Sequence, residues 1–167
     1  MVETVKGIDR ILLFRQLSKA GTNAAGKLAF QTEHEASKSR DVESTPTKDG
    51  NVQALGAIEE EVSVTSILAK GDPFVTELED AFDDGEVIEI WDIDRGGEVE
   101  ANKYPAKYYQ GYITEFTQSP NSEDDVELSM SFAINGLGQR GLATLTEDQA
   151  DVVQYVFQDT TVAPSGV

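Results

Sequence analysis

Residues 125–134 read DVELSMSFAI, and this stretch decides the fold class of the chain. Apolar and polar side chains alternate along it one by one, as they do in a β-strand with one face on a core and the other in solvent. Residues 58–68, IEEEVSVTSIL, show a similar alternation, with Val62 and Val64 on one side and acidic or hydroxyl side chains on the other. The pattern favours antiparallel strands, because strands of a parallel sheet are apolar on both faces.

Further strands are predicted over residues 9–17, 27–34, 86–94 and 103–118. Residues 86–94 carry apolar side chains on both faces, which predicts a central strand or one at an interface. Residues 103–118 carry a row of evenly spaced aromatic side chains, namely Tyr104, Tyr108, Tyr112 and Phe116, with Gly111 as a candidate bulge. We interpret this row as core packing, and a platform for stacking sugars or bases is the alternative.

One helix interrupts the strands. Apolar side chains recur at helical spacing in residues 74–82, Asp72 is a good N-cap, Pro73 suits the first helical position and Gly85 follows the end. A helix is therefore predicted over residues 72–83. Residues 146–157 are compatible with a second short helix or with a loop and a final strand, and the pattern does not choose between them.

The net charge is strongly negative and unevenly distributed. The 167 residues include 31 Asp and Glu against 13 Lys and Arg, a formal charge of −18. Net electrostatic attraction to nucleic acid or to an anionic membrane is therefore excluded. Residues 1–48 contain eight basic and six acidic side chains, so the whole acidic excess lies in residues 49–167. This polarity is consistent with a solvated acidic face, or with self-assembly in which the N-terminal segment lies on an acidic surface of the next subunit.

Length and composition predict one domain over residues 1–167, which we expect to be soluble and not exported. The chain has no cysteine, so disulfides and thiolate chemistry are excluded. Residues 36–56 are poor in apolar side chains, and a long polar segment of this kind inside a domain is usually functional or disordered. We expect a long loop there.

No arrangement of residues points to catalysis, a cofactor or a metal, and the chain is not expected to be an enzyme. Residues 136–141 match G-x-G-x-x-G, but the preceding strand is of the antiparallel type and no βαβ unit can follow. A glycine-rich turn or flexible arm is the better interpretation. His34 is the only histidine, which we expect at the surface near a strand end.

The order of these elements resembles the major tail tube protein family of long-tailed bacteriophages (siphophages). Its most specific short motif is Thr47-Lys48-Asp49-Gly50, between an acid- and serine-rich stretch and an acidic strand. The resemblance implies a mainly β fold of two packed antiparallel sheets, a sandwich or small barrel, with one flanking α-helix and a long assembly loop. It also implies a structural virion protein of the tail, assembled in the host cytoplasm and without a cofactor. Six copies would form a ring, and stacked rings would form the tube through which viral DNA passes.

The resemblance also implies partners and contact surfaces. Besides itself, the protein would meet the tape measure protein in the lumen and the tail terminator and distal tail proteins at the tube ends, with no specific DNA binding and no membrane. The arm 1–10 and the loop 36–56 would contact neighbouring rings, and 135–167 would be a C-terminal segment. The candidate inter-ring contacts are Lys38, Arg40, Thr47, Lys48, Asp49 and Gly50. The candidate acidic lumen or partner surface comprises Glu59, Glu60, Glu61, Asp125 and Glu127.

One hypothesis connects these two sets: Lys38, Arg40 and Lys48 pair with Glu59, Glu60 and Glu61 of the adjacent ring. Two other functions remain alternatives. One is the tube ring protein of a contractile injection or secretion system. The other, of a different class, is a small carbohydrate-binding β-sandwich module that uses Tyr104, Tyr108, Tyr109 and Tyr112.

Overall fold

Eight strands and one helix make up the computed structural model, which describes residues 2–28, 30–97 and 100–146. The strands are β1 Arg10–Gln16, β2 Gly26–Lys27, β3 Gln31–Thr47, β4 Gly50–Ile67, β5 Ile88–Asp94, β6 Lys103–Ser119, β7 Glu127–Ile134 and β8 Gln139–Thr144. The helix, α1, is Pro73–Asp84. No helix in these ranges is both long and apolar enough to span a bilayer.

All strands belong to one antiparallel sheet in the order β2-β1-β5-β6-β7-β4-β3. The long strand β6 pairs with β8 along its first half and with β7 along its second half. The sheet curls over so that β1 and β7 face each other. This is shown by the Phe14 ring on β1, which stacks on the Phe132 ring of β7 with 5.4 Å between the ring centroids, although β5 and β6 lie between the two strands in the sheet. The two packed layers that we expected are therefore two halves of one continuous sheet.

Among the described residues, the two edges of this curled sheet are joined by a side chain that binds a backbone. The Gln31 side chain on β3 donates to the Leu12 carbonyl on β1 at 2.7 Å and accepts from the Leu12 N–H at 3.1 Å. No backbone ladder between β1 and β3 is seen in the described ranges, so the sheet remains open. We call this line between the start of β3 and the β1–β2 edge the seam.

The main core lies inside the curl. It contains the alternate apolar side chains of β1, β4, β5 and β7, which are buried: Leu12, Phe14, Val62, Val64, Ile88, Ile90, Leu128, Met130 and Phe132. The helix α1 packs on this core with Val75, Leu78 and Ala81. A second cluster on the opposite face of the sheet includes Ile11, Leu13, Ile93, Tyr104 and Leu145. The prediction that the strand at 86–94 is central and apolar on both faces is confirmed.

Local chemistry defines both ends of α1, as predicted. The Asp72 carboxylate accepts the Phe74 N–H at 3.0 Å, and Pro73 occupies the first turn, where its missing N–H costs nothing. Gly85 ends the helix with φ 67°, in the left-handed region that favours glycine. The helix over 72–83 is thus confirmed to within one residue at each end.

Three predictions for the strands are wrong in detail. Residues 27–34 do not form one strand, because the chain turns at Phe30, whose φ is 56°, between β2 and β3. Residues 36–56 are not a loop but the paired ends of β3 and β4. The C-terminal segment begins with a strand, β8, that the glycine-rich sequence did not suggest. Residues 147–157, for which helix and strand stayed open, lie outside the described residues.

The aromatic row of β6 is divided between two faces. Tyr104 belongs to the second cluster, whereas Phe116 packs on the main core, because a register shift between Ile113 and Glu115 reverses the alternation. Tyr109, not Tyr108, is the tyrosine buried in the main core. Tyr104 and Tyr109 are both buried, so these tyrosines do not form the open sugar-stacking platform of the alternative reading.

Candidate functional site

The most prominent feature of the surface is the long hairpin formed by β3 and β4. The two strands pair from Gln31↔Ser66 to Thr47↔Gly50, and residues 35–57 are exposed on both faces. Between the pairs Arg40↔Ile58 and Val42↔Leu55, β4 has one residue more than β3, which makes a bulge and bends the ribbon. The hairpin beyond this bulge, residues 42–55, has too few apolar residues to form its own core.

An apolar stripe runs along one face of the hairpin. Val64 and Val62 of β4 face the main core, and the same face continues outward through Ile58 to the pair Val42↔Leu55. Val42 is 53% exposed and Leu55 is 65% exposed. Large apolar side chains that continue a core face into solvent favour an interaction surface. We call Val42, Leu55 and Ile58 the hairpin stripe.

The predicted inter-ring contacts are separated along this hairpin. Thr47, Lys48, Asp49 and Gly50 form the exposed tip, where the Thr47 hydroxyl oxygen accepts the Asp49 N–H at 3.3 Å. Lys38 and Arg40 lie near the base, on the row that faces the core. Their role in contacts between rings stays a prediction.

Glu60 does not lie on the acidic surface that was predicted for it. Its side chain is 2% exposed on the core-facing side of the hairpin base. Lys107 Nζ of β6 lies 3.0 Å from Glu60 Oε1, and the Gly138 N–H donates to Glu60 Oε2 at 2.6 Å. Lys38 Nζ is 3.8 Å from the same carboxylate. In the subunit, Glu60 therefore joins the hairpin to β6 and to the β7–β8 turn, and the Lys38–Glu60 pair forms within one chain.

These contacts set the protonation of Glu60. Burial alone would raise the pKa of the carboxyl, but the Gly138 N–H and the Lys107 ammonium outweigh it and hold the pKa below its ordinary value of 4.5. Burial likewise opposes the charge of Lys107, yet the hydrogen bond to Glu60 raises the pKa of that ammonium. A carboxylate whose pKa is lowered by folding stabilises the fold above its unfolded pKa, and this contribution is lost as the pH falls.

Replacing this carboxylate gives a testable result. We expect Glu60→Gln to lower the free energy of unfolding at pH 7 by about 1–3 kcal/mol, because a buried charge-assisted bond to Lys107 is lost. Below pH 4.5 the difference from the wild type should shrink, since the unfolded chain then binds a proton at this carboxyl more readily than the folded chain does. Urea unfolding at pH 7 and at successively lower pH measures both effects. Glu59→Gln, on the exposed face one residue away, should show neither, and equal behaviour of the two variants would contradict the assignment.

The other acidic candidates lie on the outer face of the sheet. This face holds Glu59, Glu61 and Glu127 together with hydroxyl side chains. The strand register shows it, since Glu61 of β4 pairs with Ala133 of β7 and Thr65 pairs with Ser129, and paired residues point to the same side of the sheet. On β3, β4, β7 and the second half of β6, we call this outer face the hydroxyl–carboxylate face, and its positions include Glu33, Glu35, Ser37, Ser39, Glu59, Glu61, Ser63, Thr65, Ile67, Tyr112, Glu115, Thr117, Ser119, Glu127, Ser129, Ser131 and Ala133. None of them is Lys, Arg or His. Asp125 precedes β7 in an exposed turn.

A second buried carboxylate, which the sequence did not indicate, lies at the seam. Asp92 of β5 is 1% exposed and accepts hydrogen bonds from Arg10 of β1, while His34 Nε2 of β3 lies 3.2 Å away. Burial opposes its charge, but His34 and Arg10 together hold the pKa of Asp92 below its ordinary value. The expectation that His34 is a surface residue is wrong, since its side chain is only 12% exposed.

This fold is found in a solved phage tail tube and in a solved particle of the injection type. The fold superimposes on the solved tail tube of Bacillus phage SPP1 with a TM-score of 0.80 and 26% identity, over 95% of each chain. A chain of the anti-feeding prophage baseplate has the same fold with a TM-score of 0.62, over 86% of this chain and 97% of that one, at 6% identity. The fold therefore places this protein in the class of tube subunits.

Sequence relatives specify the family. The family model of phage tail tube proteins matches residues 4–140. A putative tail protein of Staphylococcus phage phiMR25 is 36% identical over 162 residues, 93% of this chain and 82% of the relative. The tail tube protein gp17.1* of SPP1 is 31% identical over 95% of this chain, which spans 61% of the SPP1 protein. The chain belongs to the phage tail tube protein family, as the resemblance implied, and its role is structural, in the tail of the virion.

Proposed function

We propose that six copies of this chain form a ring and that stacked rings form a tube through which viral DNA leaves the particle. The similarity to the SPP1 tail tube over nearly the whole chain supports the tube. Self-assembly also explains the long free edge of β3, whose outer side pairs with no other strand in the described ranges. A free edge of this length is a site for pairing with another chain, and a neighbouring copy would cover it.

The proposal that DNA passes along this protein rests on the hydroxyl–carboxylate face. Glu33, Glu35, Glu61 and Glu127 project from β3, β4 and β7 on this face, whose described positions on these strands and on the second half of β6 include no basic side chain. A basic wall would gain affinity for DNA through counterion release and hold it, whereas an acidic, hydroxyl-rich wall leaves the phosphates hydrated and mobile. We assign this face to the lumen, where it would also meet the tape measure protein.

The hairpin is the proposed contact between rings, together with the N-terminal arm 1–10. Its exposed length and the hairpin stripe support this role, because Val42 and Leu55 are exposed among the described residues and would gain burial from another molecule. Lys38 is already near Glu60 of its own chain, so on the described hairpin the other basic side chains that could meet a neighbouring ring are Arg40 and Lys48. Tail terminator and distal tail proteins would meet the same surfaces at the two ends of the tube. We further propose that the protein has no enzymatic activity.

Negative-stain electron microscopy of the purified chain tests the proposal directly. Concentrated protein should form rings or hollow tubes with six-fold symmetry in end-on views. Sedimentation at increasing concentration provides the same answer in solution. Monomers at every concentration and salt would contradict self-assembly.

Charge reversal on the lumen face should slow DNA release. In phage particles whose tails contain Glu59→Lys and Glu61→Lys, we expect tubes of normal length but several-fold slower ejection at low salt, relieved as salt rises, because lysines attract phosphates. The measurement is the ejected fraction of DNA against time after adsorption to host cells. Glu79→Lys and Asp80→Lys on the exposed side of α1 provide the same change of charge elsewhere. Equal ejection rates for the two pairs would remove Glu59 and Glu61 from the lumen.

A further inference from the structure

A cavity opens at the seam, where the two edges of the curled sheet fail to join. Its volume is about 720 Å³, and it lies between the start of β1, the strand β2, the start of β3 and the turn Arg95–Gly97. Its polar lining includes Arg10, Lys27, His34 and Arg95, and its rim includes the exposed apolar side chains of Ile8 and Phe30. A concentration of cations here is unexpected in a chain with a formal charge of −18.

Within the described residues, the charge of Lys27 in this cavity is not balanced by a carboxylate. Arg10 is paired with the buried Asp92, Arg95 donates to the Ile8 carbonyl, and Glu33 is the one carboxylate among the described residues that line the cavity. No carboxylate in the described ranges forms an ion pair with Lys27. Burial and the nearby charge of Arg95 both lower the pKa of Lys27, so its charged form lacks compensation. An incoming carboxylate would supply that compensation.

An acidic turn on the same chain complements the charge of this cavity. Residues 123–125 are Glu-Asp-Asp, exposed between β6 and β7. Asn121 Oδ1 accepts the N–H groups of Glu123 at 2.9 Å and Asp124 at 2.7 Å, which fixes the shape of the turn. No Lys, Arg or His occurs between Lys107 and Arg140, and no ion pair to this turn is found in the described ranges. We call residues 123–125 the acidic turn.

We propose that the acidic turn of one copy docks into the seam cavity of the next copy. Two different surfaces of the chain then meet, which is a head-to-tail contact of the kind that closes rings or extends filaments. The turn would bring carboxylates to Lys27 and Arg95, where charge-assisted hydrogen bonds form in partly buried surroundings. This inference rests on the proposed function, because it needs a tube-forming assembly. It also gives Asp125, a candidate partner-surface residue, a specific partner.

Reciprocal charge reversal tests the contact. Three variants are needed: Lys27→Glu with Arg95→Glu in the cavity, Asp124→Lys with Asp125→Lys in the turn, and all four changes in one chain. Each pair alone should raise the protein concentration needed for tube formation at least about tenfold, since close charge pairs at interfaces couple by about 1.5 kcal/mol or more. The four-fold variant should recover most of this loss, because every copy then carries both reversed partners. Sedimentation and negative-stain images provide the readout.

The controls separate this contact from charge and from folding. Lys19→Glu with Lys70→Glu, and Glu79→Lys with Asp80→Lys, match the two pairs in charge and should leave the assembly threshold within about twofold. If the cavity pair lowers the stability of the dilute monomer, Lys27→Met, which removes the charge and keeps the length, should still raise the threshold. A four-fold variant as defective as either pair would overturn the inference, as would normal assembly of both pairs. If the wild type forms tubes while either of these results is obtained, the proposed function still holds and only the docking of the acidic turn is wrong. If the wild type forms no tubes, both the proposed function and the docking are wrong.

Discussion

Gly111→Ala is expected to destabilise the fold by about 3 kcal/mol or more, which is severe for a domain of this size. A Cβ at this position would lie 2.2 Å from the Ala133 carbonyl oxygen and 3.1 Å from the Ile134 Cα, both backbone atoms of the paired strand β7. Neither atom can move without breaking the ladder between β6 and β7. Because β6 connects both halves of the curled sheet, the damage would extend to the main core.

A matched glycine on the neighbouring strand provides the control. Gly141 lies in β8 beside Ala106 of β6, and a Cβ there would meet no atom of the described residues within 4 Å. Gly141→Ala should therefore change the free energy of unfolding by less than about 1 kcal/mol. Urea unfolding of dilute protein, followed by far-ultraviolet circular dichroism, compares the two variants. A Gly111→Ala protein as stable as Gly141→Ala would show that the strands separate here more easily than the packing implies.

The parts of the fold that the sequence predicted are those whose signal is local. The alternation in β7, the two apolar faces of β5 and the capping residues Asp72 and Gly85 each depend on neighbouring residues, so they could be recognised without the structure. The hairpin could not, because residues 42–55 pair in the absence of a core. Both faces of this ribbon are exposed, and an exposed strand shows no alternation. Composition alone therefore suggested a loop.

The charged clusters escaped prediction for a different reason. Glu60 interacts with Lys107 and Gly138, and Asp92 interacts with Arg10 and His34, all of them distant in sequence. Such contacts follow from the curl of the sheet, which no local pattern specifies. Glu60 also stands between Glu59 and Glu61, so only the register of β4 decides that its side chain points inward. Glu59 and Glu61 are exposed on the outer face, and their role as a lumen or partner surface stays a prediction.

Adding charge to the hairpin stripe should abolish tube formation without unfolding the subunit. Val42 and Leu55 are exposed in the free chain, so Val42→Asp with Leu55→Asp should change the free energy of unfolding by less than about 1 kcal/mol. In a tube these positions would be buried against a neighbour, where each apolar side chain contributes about 1.5–3 kcal/mol and an unpaired carboxylate is strongly unfavourable. The loss recurs at every contact between rings. We therefore expect monomers or isolated rings under conditions in which the wild type forms tubes.

The opposite face of the same hairpin shows whether the stripe itself is responsible. Thr45 and Ala54 lie on that face, since Thr45 pairs with Val52 and Ala54 with Glu43. Thr45→Asp with Ala54→Asp adds the same charge to the same ribbon and should leave tubes intact, as judged by negative-stain images and sedimentation. Tubes from the Val42/Leu55 variant would show that the stripe stays in solvent after assembly. Equal loss in both variants would mean that the whole hairpin is enclosed by its neighbour, because only a contact on both faces would reject charge at both pairs of positions.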